Sequence, residues 1–223
     1  MPFGVDEAGK GPALGSMFAA AVHTEEPTAL PDGIRDSKRL SPERREELAA
    51  ALRADERIAI GVAEITPARI DDPETDMNSL AVAAHAEAIE GTVGDLERAG
   101  DVNGPISGLC DACDTDADRF ARRVTDACSL EGLAVDARHG ADDDSPLVGA
   151  ASIIAKVERD AHVERLAAEH GDVGSGYPSD PTTRTFLREY VDEYGELPSC
   201  ARTSWSTCDD VMAAAEQSGL DDF

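Results

Sequence analysis

Two rhythms of apolar and polar residues alternate along this chain. Phe3 to Val5, Leu14 to Val22, Ile58 to Ile65, Pro105 to Cys110 and Leu133 to Ala137 are apolar runs of strand length. Between them lie longer amphipathic stretches with start signals. Ser41-Pro42 sets a hydroxyl N-cap before a proline suited to the first turn and predicts a helix to about Ala54. Asn78 opens a second helix to about Arg98, Asp116 to Cys128 is a third, and Ser145-Pro146 repeats the cap signal before a long helix toward His170. Strands first and alternation later predict an α/β fold, a mixed five-stranded sheet flanked by helices.

After Gly171 the pattern changes. The loop Gly174-Ser175-Gly176-Tyr177-Pro178-Ser179-Asp180 precedes a helix from about Pro181 to Tyr194, a linker around Pro198 and a short helix near Asp210 to Gln217. The expected division is a main domain over 1–173 and a small C-terminal helical subdomain over 174–223 that carries the loop.

Charge changes the picture of the surface. Forty-six acidic residues against twenty basic ones give a net charge of -26 over 223 residues. In dilute buffer such a surface repels itself and repels nucleic acid. At molar salt the Debye length shrinks to about 3 Å and only close contacts survive. With 41% hydrophobic residues in periodic runs, the acid excess reads as a halophile's surface on a folded domain, not as an acidic disordered segment. Five cysteines give no disulfide framework, and Cys110-x-x-Cys113 lacks a second pair with zinc-like spacing, so the two read as thiols beside a strand end. The apolar run Met17 to Val22 is too short to span a bilayer, and no secretory segment is read. The expectation is a reduced, cytoplasmic monomer without a membrane role.

The lysines then mark the chemistry. Only Lys10, Lys38 and Lys156 occur, each inside a polar cluster, while all other positive charge is arginine. Gly4 to Lys10 satisfies the first seven positions of the phosphate-binding loop G-x-x-x-x-G-K-[ST], but Gly11 replaces the hydroxyl residue and two carboxylates sit inside it. A nucleotide-binding switch or NTPase is therefore the alternative reading, and an acidic non-catalytic interaction module a third. Adjacent carboxylates at a strand end suit hard cations better. Asp6 and Glu7 end the first strand, Asp111 follows Ile106 to Cys110, and Asp142 follows Leu133 to Ala137 by a short loop. Carboxylates ending neighbouring strands converge, and four can hold two divalent ions about 3.5 to 4 Å apart for phosphodiester hydrolysis. Asp114-x-Asp116-x-Asp118 lacks the glycine and glutamate of a calcium loop and reads as an acidic helix start.

Four motifs in order, Asp6-Glu7-Ala8-Gly9-Lys10-Gly11-Pro12, Asp36-Ser37-Lys38, Ala150-Ala151-Ser152-Ile153-Ile154-Ala155-Lys156-Val157-Glu158-Arg159-Asp160 and the Gly174 to Asp180 loop, resemble those of ribonuclease HII over roughly residues 3 to 205. The resemblance implies a ribonuclease H-like fold and an endonuclease that cuts the RNA strand of RNA/DNA hybrids. It also implies cleavage 5′ of ribonucleotides embedded in duplex DNA, leaving 3′-hydroxyl and 5′-phosphate ends. By motif, Asp6, Glu7, Asp111 and Asp142 match metal-binding catalytic carboxylates for two Mg2+ or Mn2+ ions. Asp142 is chosen over Asp143 and Asp144 because Gly140-Ala141-Asp142 follows the family's Lys-Ala-Asp pattern, although its lysine is missing. Gly9, Lys10, Gly11 and Tyr177 match ribose recognition, with Lys10 where the family usually has arginine. Ser37, Lys38 and Lys156 would contact or orient phosphates, Lys156 being equally able to pair with a carboxylate. His139 reads as a solvated loop histidine and Trp205 as a packing residue. No sliding-clamp-binding tail is evident.

The charge balance carries a test. Raising potassium chloride from low to molar concentration shortens the Debye length from about 30 Å at 0.01 M to about 3 Å at 1 M and relieves self-repulsion. The melting temperature should climb steadily across that series. A flat or falling trend by circular dichroism contradicts the halophile reading.

Overall fold

The protein is described by a computed structural model over residues 1–34, 40–99 and 104–221. Ser37 and Lys38, both named as phosphate contacts, lie outside the described residues. The chain forms two compact units. The first comprises Met1–Ala8, Phe18–Glu64 and Met77–Glu158, the second Gly9–Met17, Ile65–Asp76 and Arg159–Phe223.

A five-stranded sheet ordered β3-β2-β1-β4-β5 organises the first unit, with β1 (Pro2–Ala8), β2 (Met17–His23), β3 (Ala59–Ile65), β4 (Ile106–Asp111) and β5 (Leu133–Arg138). β1 pairs antiparallel with β2, Asp6 opposite Ala20, and parallel with β4, Val5 opposite Cys110. β4 in turn pairs parallel with β5. The sheet is therefore mixed, and β1, β4 and β5 all end at the same side.

Both faces of β1 are covered. α1 (Pro42–Ala54) and the first part of α6 (Pro146–His170) cover one, where Ala20, Val22, Leu48, Leu52, Ile58, Ile153 and Ile154 share a buried cluster with Ala150, Ala151 and Ala155. Each large aliphatic side chain there contributes about 1.5–3 kcal/mol relative to exposure. The small residues set the spacing. Gly4 lies against α6 so closely that a Cβ would stand 2.3 Å from the Leu147 carbonyl carbon and the Val148 nitrogen. On the other face, α3 (Met77–Ala99) comes down on Gly61, and the Thr92 hydroxyl donates to the Ala21 carbonyl at 3.2 Å. α4 (Ala117–Ala127) joins α3 there, the Phe120 and His85 rings meeting edge-on at 5.0 Å. Asp116 caps α4, accepting from the Arg119 N–H at 2.9 Å, as the acidic start of that segment predicts.

The second unit packs α7 (Pro181–Tyr194) and α8 (Ser206–Asp221) with the later turns of α6 around Leu14, Leu166, Val173, Phe186, Leu187, Val191 and Val211. α2 (Pro67–Ile70), a single turn capped by Thr66, also belongs here. Among the described residues, no helix is long and apolar enough to cross a membrane.

Three elements differ from expectation. The apolar run from Leu14 does not enter the sheet until Met17, because Gly15 takes φ +78° and Leu14 bridges to Ala201 instead. α8 starts earlier and runs longer than Asp210 to Gln217, since Ser206 begins it and Cys208 and Val211 are buried by it. The phosphate-loop alternative fails on geometry: β1 stays extended through Ala8 and leads into an antiparallel strand, so no helix N-terminus follows to cradle a phosphate.

Gly4→Ala should destabilise the protein by about 3 kcal/mol, because its Cβ meets backbone that cannot step aside. Gly91→Ala, whose Cβ finds only an ordinary 3.6 Å contact in α3, should be neutral or stabilising by about 0.5–1 kcal/mol. Urea unfolding in molar salt distinguishes the two, and equal midpoints contradict the packing account.

Candidate active site

Strand alternation decides where the first two carboxylates go. Neighbouring residues on a strand face opposite sides. Asp6 shares the α6 side with Gly4, and Glu7 faces α3. Asp6 is buried at 5% exposure, and its carboxyl is held by the Ser152 hydroxyl with the Lys156 ammonium nearby. Lys156 donates to Ser152 one helical turn back, so lysine, serine and aspartate form one chain of contacts. Glu7, half-buried, places Oε2 at 2.9 Å from His85 Nε2.

Parallel pairing brings the third carboxylate alongside. Asp111 ends β4 beside β1, and its Oδ1 accepts the Ala141 N–H at 2.9 Å. That amide begins α5 (Ala141–Asp144), a single turn that follows β5 and starts from Gly140 at φ +68°. The turn buries Asp142 to 1% exposure while Asp143 and Asp144 stay exposed. Carboxylate oxygens of Asp6, Asp111 and Asp142 all lie within 4.8 Å of one another. Glu7 groups instead with His85 and Cys113 under the same distance limit. His139 is exposed, its Nδ1 3.1 Å from the Ala112 carbonyl.

The crowding shows in the acidities. Burial first, then the Glu7 charge, push the Asp6 carboxyl far above the ordinary carboxylate range, only partly offset by Ser152 and Lys156. Asp111 is raised as well, by burial and then by Asp142 and Glu7, against the opposing Ala141 N–H. A patch that resists holding its own negative charge gains from a cation. All its donors are carboxylate oxygens, the chemistry of a hard divalent ion.

The remaining candidates sit in the second unit. Gly9 has φ +88°, and a Cβ there would crowd the Ser16 carbonyl at 3.0 Å. Arg202, fully buried, donates from its guanidinium to the carbonyls of Gly9 at 2.6 Å, Lys10 at 3.0 Å and Gly15 at 2.8 Å. Trp205 stacks on that guanidinium at 5.1 Å and donates to the Gly11 carbonyl at 3.3 Å. Burial, then the Arg159 charge, pull the Arg202 guanidinium down to about 10. Tyr177 is 42% exposed, with Gly11 beside its ring and the Arg159 guanidinium 5.4 Å from its centroid. The loop beneath it is pinned where Gly176 donates to Thr183 at 2.9 Å and accepts from Ala13 at 2.8 Å.

Sequence reading missed His85 and Arg202, took Cys113 only as a thiol beside a strand end, and quoted Arg159 within a motif without a role of its own. A histidine inside the apolar stretch Leu80 to Ile89 was the available signal for the first. Nothing local distinguishes Arg202, whose three acceptors lie almost the whole chain away.

The raised carboxyls predict a pH dependence. A folded-state acidity weaker than the unfolded value of 3.8 means the native state holds the proton more tightly. That stability is present in full below the unfolded value and is lost as pH rises through the folded one. In metal-free protein at molar salt, the stability advantage of Asp6→Asn over wild type should therefore grow as pH rises from the unfolded value of 3.8 to the folded value of about 8. An advantage that does not change with pH contradicts the crowding.

Comparison with known proteins places the geometry in a family. The ribonuclease HII family model matches residues 3–208. A ribonuclease HII of Haloarcula marismortui is 62% identical over 223 residues, 100% of both chains. Among solved structures, ribonuclease H2 from Pyrococcus horikoshii superposes with a TM-score of 0.85 at 34% identity, covering 97% of this chain and 99% of that one. The ribonuclease HII of Archaeoglobus fulgidus, solved in complex with PCNA, matches with a TM-score of 0.79 at 38% identity over 100% of both chains. A mixed sheet with carboxylates gathered at its parallel strand ends, in a chain matched over nearly its whole length, belongs to the ribonuclease HII family of endoribonucleases.

Proposed function

We propose that this chain hydrolyses the RNA strand of RNA/DNA hybrids and cuts duplex DNA 5′ of embedded ribonucleotides, leaving 3′-hydroxyl and 5′-phosphate ends. The observation that carries the reading is the convergence of Asp6, Asp111 and Asp142 within 4.8 Å at the ends of parallel strands. With Glu7 adjacent on β1, these carboxylates would hold two divalent ions, Mg2+ or Mn2+. Such ions, when bound, activate a water and stabilise the leaving 3′ oxygen.

The chain's own residues do the rest. Ser152 and Lys156 fix the Asp6 carboxylate, and the Ala141 N–H fixes that of Asp111. Orientation of this kind determines whether ligands meet an ion with usable geometry. Ser37 and Lys38 contact phosphate in this reading. Gly9, Lys10 and Gly11 offer backbone that approaches a ribose 2′-hydroxyl, and Arg202 sets that backbone by holding the Gly9 and Lys10 carbonyls. Tyr177 presents a half-exposed ring for stacking on the sugar. Residues 1–173 then carry the hydrolytic centre and 174–223 the tyrosine loop, in a cytoplasmic protein acting as a monomer. Substrate contact is local, because net charge of -26 repels phosphate at any range that salt does not screen.

Asp111→Asn removes a carboxylate ligand and relieves crowding. The purified variant should lose cleavage by about a thousand-fold or more, some 4 kcal/mol of barrier, while melting at or above the wild-type temperature without divalent ions. Near-normal turnover in magnesium by a folded variant removes Asp111 from the centre.

Tyr177→Ala should slow cleavage at a single embedded ribonucleotide by roughly ten to a hundred-fold, from the 1–3 kcal/mol of one aromatic stacking contact. The loss should fall chiefly on turnover and be smaller on long hybrids, which offer other registers. Both substrates are compared in one buffer of molar salt, with circular dichroism to confirm folding. Unchanged single-ribonucleotide cleavage reduces Tyr177 to a packing residue.

A further inference from the structure

We propose that Glu7, His85 and Cys113 form a binding site for a soft divalent transition-metal ion of the zinc class, beside the carboxylate cluster. One ligand atom from each lies within 4.8 Å of the others. They come from three elements of the first unit: the end of β1, the middle of α3 and the segment after β4. Carboxylate oxygen, imidazole nitrogen and thiolate sulfur together make a zinc donor set with room for a solvent ligand. The all-oxygen set of Asp6, Asp111 and Asp142 selects hard cations instead.

The surroundings of His85 point the same way. The ring is fully buried and held edge-on by Phe120. Its Nε2 meets Glu7 at 2.9 Å, and its Nδ1 has no hydrogen-bond partner among the described residues. An ion taking the place of the proton between Nε2 and Glu7 Oε2 therefore breaks no other hydrogen bond of the ring. Bonds of about 2.0–2.2 Å at a tetrahedral angle put nitrogen and oxygen roughly 3.3 Å apart, so the contact opens by a few tenths of an ångström. A zinc to sulfur bond of about 2.3 Å sets nitrogen and sulfur roughly 3.6 Å apart, inside the observed limit of 4.8 Å. The proton balance closes with one proton released: the proton between Nε2 and Glu7 passes to Nδ1, so that the imidazole binds as the Nδ1–H tautomer, the thiol proton leaves to solvent, and the ion gains a carboxylate and a thiolate.

This site needs none of Asp6, Asp111 or Asp142, yet it takes Glu7. A soft ion there withdraws the carboxylate that the proposed hydrolytic centre shares, so zinc inhibits cleavage even with magnesium in excess.

Cobalt(II) titrated into freshly reduced, metal-free protein in molar potassium chloride tests the assignment. Wild type and Asp111→Asn should both develop a thiolate-to-cobalt charge-transfer band at one equivalent. Cys113→Ser should lose the band, and His85→Gln should weaken cobalt binding at least ten-fold. Because Asp111→Asn lacks the proposed hydrolytic centre, a band retained there separates this site from that reading. A parallel measurement needs no substitution: zinc should protect Cys113 from alkylation by iodoacetamide, read by peptide mass. Absence of the band in wild type, its persistence in Cys113→Ser, its loss in Asp111→Asn, or unprotected Cys113 overturns the proposal.

Discussion

Like charges crowded at the common end of β1 and β4 are the constraint that the rest of the first unit accommodates. Parallel pairing forces Asp6 and Asp111 to leave the sheet side by side, and the turn after β5 drives Asp142 into the same place. Water would relieve the repulsion, but the packing excludes it from Asp6 and Asp142. The cost appears as pKa values raised at Asp6 and Asp111, first by burial and then by their charged neighbours. Close approach of α6, made possible by Gly4, is what brings Ser152 and Lys156 to Asp6. On the opposite face the same alternation commits Glu7 to His85.

The surface obeys another rule. At a net charge of -26 the exterior depends on salt for its tolerance of self-repulsion, whereas buried groups such as the Arg202 guanidinium are held by contacts of hydrogen-bond length that salt does not screen. Arg202 illustrates the difference. Its guanidinium is solvated by three backbone carbonyls and a tryptophan face. A planar guanidinium suits this place because its fixed fork of donors can span several acceptors at once.

The sheet and main helices were legible because their signals are local. Ser41-Pro42 and Asp116 announce helix starts that the structure places at Pro42 and Ala117. β4 and β5 are apolar runs found within a residue of their expected ends. What depended on chain reversal was not legible. Leu14 reads as strand by its neighbours but is claimed by Ala201, nearly two hundred residues on, once Gly15 turns the backbone. Asp6, Asp111 and Asp142 were readable as a set because each ends or follows an apolar run. The partition that sends Glu7 toward His85 and Cys113 was not, because it depends on which helix covers which face. The Gly4 to Lys10 loop shows the converse failure, a motif matching by residue type whose phosphate-binding form the extended backbone excludes.

Anomalous diffraction from manganese-soaked crystals grown at molar salt tests the central claim most directly. The account predicts manganese in contact with the carboxylates of Asp6, Asp111 and Asp142, with Glu7 turned from His85 toward it. Crystals that cleave an RNA/DNA hybrid while showing manganese elsewhere, or none at these carboxylates, would contradict it.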